Sequence, residues 1–148
     1  MLSITHIALG ATAAHYTQNP LIYIPISLMG HYIGDALLHW DCGTGLENGS
    51  KSKRAAILQE LFELSLSAVF LSIVFFNQSD KQTIHILIAS FFSILPDLIE
   101  APKNFLGKDL PLLKPLNTFH AKFHNSTPNM IIGFTPQLIF LFLVYLLV

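Results

Sequence analysis

Seven histidines stand in a chain of 148 residues, and most of them lie near a carboxylate in sequence. His31, Asp35 and His39 follow at intervals of four, so on one continuous helix they project from a single face. Asp97 and Glu100 are three apart and His120 and His124 four apart, each pair able to share a face, and His6 lies near the start. Neutral imidazole and carboxylate are the ligands that zinc, iron and manganese accept. A catalytic centre takes several from different elements and leaves one position open for water. The supply here exceeds the need of one ion. Two ions about 3.5–4 Å apart form the clamp that serves phosphoester hydrolysis.

The elements that must position these residues are apolar. Hydrophobic residues make up 52% of the chain and charged residues 11%, with a mean hydropathy of +0.55. Soluble domains carry roughly 25% charged residues, so the composition points to a membrane and excludes disorder. A net charge of -1 leaves no basic face for nucleic acid, and none is expected as a partner. Cys42 is the single cysteine, which excludes an internal disulfide and a Cys-rich zinc site. The length suits one domain, residues 1–148.

Met130 to Val148 has no charged residue and is long enough to cross a hydrocarbon core of about 30 Å. Ala55 to Phe76, Thr83 to Leu95 and Pro20 to Trp40 are further candidate spans, the third with Trp40 as an interfacial anchor. Ser3 to Tyr16 is short, a half-span or a helix packed inside the bundle. No basic residue stands within Met1 to His6, so a secretory signal is not expected. The fold expected is an all-α, polytopic membrane bundle of four to five spans. Asp41 to Arg54 and Ala101 to Asn129 hold seven basic residues, against Lys81 alone in the turn Asn77 to Gln82. The positive-inside rule therefore puts both long loops in the cytoplasm. On that topology His6, His31, His39, His120 and His124 fall on the cytoplasmic side with the carboxylates, and His15 and His85 on the other.

Plainer roles stand beside these. His15 and His85 read as interfacial polar residues, Gly30-x-x-x-Gly34 as a close helix-packing surface, Cys42 as a loop thiol and Asp41 as a helix end. Glu60 and Glu63 serve either as ligand or acid/base groups, or as headgroup contacts. Lys103, Lys108 and Lys114 read as a solvated set facing lipid headgroups.

Ser93-Ile94-Leu95-Pro96-Asp97, followed by Ala101-Pro102-Lys103-Asn104-Phe105-Leu106-Gly107, is similar to the signature of the YdjM-like membrane-bound metal-dependent hydrolases. Thr5-His6-x-x-x-Gly10, Gly30-His31-x-x-x-Asp35 and the pair His120 and His124 resemble the other elements of that family. Departures exist: the His31/Asp35 element precedes the Pro-Asp element here, and Ile99 and Glu100 stand where the family carries a further Asp and His. The resemblance implies a membrane-embedded His/Asp metal centre with hydrolase activity, in the style of zinc-dependent phospholipases.

Residues and resemblance together lead to one expectation. His6, His31, Asp35, Asp97, His120 and His124 ligate a divalent metal, zinc first among the candidates, and Glu100 or His39 carries the proton. The substrate expected is a phosphoester in a lipid-like or membrane-proximal molecule, with membrane lipid as the partner and the bacterial inner membrane as the location. The other class is a metal-binding or transport-associated protein without turnover, which would string polar residues through the membrane midplane.

Overall fold

Side-chain caps and apolar runs set the helix boundaries in the computed structural model, which describes residues 1–46, 48–75 and 78–148. Asn19, Ser52, Ser79 and Asn129 each accept a hydrogen bond from a backbone N–H in the first turn that follows. Six helices result among the described residues: α1 (Ser3–Tyr16), α2 (Pro20–Ala36), α3 (Lys53–Val74), α4 (Asp80–Leu106), α5 (Lys114–His120) and α6 (Met130–Leu147). Extended pairing is confined there to one parallel bridge, His39 with Ser126. The expected end of the third helix at Phe76, and Asn77 of the turn after it, lie outside the described residues.

Three helices, α3, α4 and α6, are long and apolar enough to cross a membrane. At 1.5 Å per residue α1 and α2 reach about 21 and 25 Å, short of a straight crossing of a core of about 30 Å. The chain is all-helical as expected, with three helices of spanning length.

α1 is the central helix and packs against α2, α3, α4 and α6. Its sequence is rich in Ala, Gly and Ser, so neighbours approach closely on every side. At Gly10 a side chain would run into the backbone carbonyl of Ala89 on α4. The Gly30/Gly34 pair faces α1 as expected: a Cβ at Gly30 would lie 2.5 Å from Leu9 Cδ2. The outside of the bundle is apolar, with Phe62, Ile73, Phe91, Ile131 and Phe142 at least half exposed, whereas His6, His31, Asp35, His39 and Gln137 are buried. Water is a poor solvent for such a surface. Ser65 and Ser72 on α3 return their hydroxyl protons to carbonyls four residues back, which leaves them satisfied in a dry environment.

Several sequence expectations are corrected. α2 stops at Ala36 rather than Trp40, because Leu37 turns to extended backbone. His39 therefore does not ride the helical stripe of His31 and Asp35. It reaches the same region on an extended segment held by His39 N–H to Asn125 O (3.2 Å) and Thr127 N–H to His39 O (2.7 Å). α4 does not end at Pro96-Asp97 but runs on through Pro102 to Gly107, whose φ of 68° closes it. Trp40 is buried, not an interfacial anchor, and packs on Phe134. Gly133 allows this, since a Cβ there would stand 2.6 Å from Trp40 Cβ.

Candidate metal centre

The N-terminus of α1, the C-terminus of α2, the start of α3 and the last turns of α4 come together at one end of the bundle, where the lysine-rich loops also emerge. The N-terminus of α1 is buried without a cap of its own. Its free donors are taken by other helices: Leu2 N–H by Gln137 Oε1 (2.7 Å), Ser3 N–H by Glu63 Oε2 (3.0 Å) and Ser3 Oγ–H by Glu60 Oε1 (2.5 Å). This holds His6 in place. It also assigns Glu60 and Glu63 a role in anchoring α1.

His31, Asp35, Asp97 and His120 form an inner group whose ligand atoms all lie within 4.8 Å of one another. His31 Nε2 is 3.2 Å from Asp35 Oδ2, 3.1 Å from His120 Nε2 and 3.6 Å from Asp97 Oδ1. His120 Nε2 is 2.8 Å from Asp35 Oδ2 and 3.7 Å from Asp97 Oδ1. Donors about 2.0–2.1 Å from a tetrahedral ion stand about 3.3 Å apart, so this spacing fits one. His6 joins from the opposite oxygens, 3.1 Å from Asp35 Oδ1 and 4.0 Å from Asp97 Oδ2. The N-terminal ammonium of Met1 also pairs with Asp35 Oδ1.

His39, Asp41 and His124 form an outer group. Asp41 Oδ2 is 3.0 Å from His39 Nε2 and 2.9 Å from His124 Nε2, and the two nitrogens are 3.4 Å apart. His39 Nε2 also lies 3.8 Å from Asp35 Oδ1, which makes Asp35 the carboxylate between the groups. The two histidines after α5 thus separate, His120 to the inner group and His124 to the outer one. Sequence reasoning missed Asp41. Its signal was His39-x-Asp41, two ligand types on alternate residues of an extended segment, which place side chains differently from a helix.

Ring tautomers carry the electrostatic argument. His31 Nδ1 donates to Ser93 O (2.7 Å), and His39 Nδ1 donates to Leu37 O (2.8 Å). With Nδ1 donating to a carbonyl, each ring turns Nε2 toward carboxylate oxygens and another imidazole nitrogen. Acceptors then face acceptors, an arrangement that needs a cation between them, either a proton or a metal. Among the described residues no lysine or arginine pairs with Asp35, Asp41 or Asp97, and Lys103 is taken by Glu100 at 3.1 Å.

In the metal-free chain protons take that place. Burial opposes charge on His120, but the Asp35 and Glu100 carboxylates outweigh it and push the ring up to about 10. Burial likewise opposes charge on His124, and Asp41 raises it nonetheless. Against the effect of burial, His124 and His39 hold Asp41 well below the ordinary carboxylate range. His120 Nδ1 lies 3.3 Å from Glu100 Oε2 without completing a hydrogen bond, and His6 Nδ1 is buried without a partner.

Cys42, Glu60 and Glu63 make a third group of ligand types. Here donors already answer the acceptors: the Cys42 thiol donates to Glu63 Oε1 at 2.7 Å. Burial beside Glu63 pushes that thiol up, away from the thiolate a metal needs. Of the expected site residues, His6, His31, Asp35, Asp97 and His120 meet at the inner group, with Glu100 beside His120. His39 and His124 meet at the outer one. No protein-family model matches the chain, and no curated protein or solved structure matches it.

Proposed function

We propose that this chain is an integral membrane, metal-dependent hydrolase of the YdjM-like kind that cleaves a phosphoester in a lipid-like substrate. The observation that carries the proposal is the buried convergence of imidazole lone pairs and carboxylates with no basic side chain to neutralise them. The inner group is the stronger ion site, and the outer group, tied to it through Asp35, holds a second ion. Two divalent cations outweigh the charges of Asp35, Asp41 and Asp97 and leave a net positive site, which an anionic phosphoester answers. Zinc suits this mixture of nitrogen and oxygen donors.

When bound, such ions lower the pKa of a water toward about 7 and polarise the scissile oxygen. The chain's own residues do the rest. His31 and His39 are locked in the ligating tautomer by Ser93 and Leu37, and Glu100, lining the chamber above His120, carries the proton. α1 and α2 complete a bundle of four to five crossings, with the lysine-rich loops in the cytoplasm by the positive-inside rule, in a bacterial inner membrane. An apolar cluster of Ala11, Ala14, Tyr23, Phe75, Ile86 and Ala89 lies beyond the centre, which favours a one-sided active site over a transport path.

The test is metal content and phosphate release by detergent-purified protein on phosphatidic acid and lipid-linked phosphates. Bound zinc and hydrolysis that a chelator abolishes and zinc restores are expected. Protein that stays metal-free after exposure to zinc, manganese and iron removes the reading.

A further inference from the structure

Two cavities adjoin the candidate centre, and their walls differ in chemistry. A chamber of about 690 Å³ on the loop side is lined by Asp41, Asp97, Glu100 and His124, with Lys51 and Lys103. A groove of about 480 Å³ runs between α1, α2 and α6 along Leu9, Ile26, Met29, Ile33, Pro136 and Phe140. Both volumes suit a small-molecule site. Apart from Thr5 and His6 the groove wall is apolar, and the Thr5 hydroxyl is turned to Gln137. Met1 lines both cavities.

The groove opens outward through the apolar surface of the bundle, where Met29 and Ile33 are each 63% exposed. Its inner end is His6, whose Nε2 is on Asp35. Gly34 keeps that end deep: a Cβ there would stand 2.6 Å from Met1 Sδ and 3.6 Å from His6 Cε1. An apolar slot that begins at the hydrocarbon and stops at a ligand of the metal centre, opposite a polar chamber, fits a molecule that is apolar at one end and anionic at the other. A helix about 10–12 Å across would cover such a slot rather than enter it.

We infer that the groove holds the alkyl chain of an amphiphilic phosphoester whose anionic head lies in the polar chamber, reached sideways from the bilayer between α2 and α6. This rests on the hydrolase reading and names its substrate. Hydrolysis there joins the oxygen of water to phosphorus and breaks the bond from phosphorus to the chain-bearing oxygen. That oxygen takes a proton, and the products are the alcohol and inorganic phosphate. A long chain leaves lipid for the groove with little net hydrophobic gain, so its effect is to position the head. A short chain leaves water, and each methylene withdrawn from water is worth about fourfold in kcat/KM.

The test measures kcat/KM for butyl, hexyl and octyl phosphate with zinc-loaded protein in nanodiscs. The wild type is compared with Ile33→Trp, which fills the groove, and Ile139→Trp, which adds the same ring on the outer face of α6. A steep rise with chain length in the wild type and Ile139→Trp, flattened in Ile33→Trp at equal metal content, is the expected result. Chelator-sensitive hydrolysis that does not depend on chain length overturns the groove and leaves the hydrolase standing. A steep series unchanged in Ile33→Trp places the chain elsewhere and also overturns the groove. Bound metal with no hydrolysis of any alkyl phosphate overturns the hydrolase reading. Equilibrium dialysis of octyl against butyl phosphate then decides the groove: stronger retention of octyl phosphate, lost in Ile33→Trp, supports it, and any other result overturns it.

Discussion

The two ends of the bundle both hold histidine, yet they use it differently. At the far end Tyr23 and His85 share a hydrogen bond of 3.1 Å, Gln82 Nε2 donates to the carbonyl of His15 at 3.2 Å, and the Tyr16 hydroxyl donates to Leu147 O at 2.7 Å. No carboxylate enters these pairs, so the two rings meet a phenol and an amide. At the loop end the rings meet Asp35, Asp41 and Asp97 and one another, and among the described residues no lysine or arginine pairs with these carboxylates. Imidazole count therefore does not make a metal centre. Carboxylates that no basic side chain pairs, set beside fixed imidazole nitrogens, make a candidate one.

Breaking that difference is most severe at Asp35, the carboxylate shared by both groups. Asp35→Asn should weaken metal binding by more than about 100-fold, whereas His85→Ala should leave it within about twofold, both read by metal titration of purified protein. Equal losses would erase the distinction between the ends. Asp41→Asn sharpens the comparison within the loop end, since it should lower zinc from about two ions per chain to about one and spare the inner group. Loss of both ions together would mean a single centre.

Gln137→Ala acts on the scaffold instead. It strips Leu2 N–H and the Trp40 carbonyl of their partner, and about 1–3 kcal/mol of stability should go in denaturant titration while zinc still binds. The last comparison uses pH on the metal-free protein. His120 is raised from its ordinary 6.5 to about 10, so the stability it contributes is complete below about 6.5 and lost as pH rises through about 10. The melting temperature of chelator-treated protein should fall across that window. His120→Ala should flatten the fall and His85→Ala should not. Zinc affinity should rise over the same range, because bound protons must leave first.

Apolar runs were enough to set out the five longer helices but not α5, and their alternation with polar loops was enough to sort the histidines by end. Both depend only on contacts between near neighbours in the chain. The separation of His31 from Asp35 is likewise a property of one helix. Other features required the packed chain. α2 ends at Ala36 because the segment after it pairs with residues near Asn125, a partner far away in sequence, so His39 arrives by extended backbone and brings Asp41 with it. Glu60 and Glu63 became anchors for α1 because that helix enters the bundle with bare N–H groups, and Trp40 was drawn inward by the space over Gly133. The continuation of α4 through two prolines was set by its packing rather than by propensity. Donor atoms must meet within 3–4 Å to share an ion, and that distance depends on how closely helices approach. Spacing in the sequence decides which residues reach the same end of the bundle; only packing at the glycines and loops decides which of them touch.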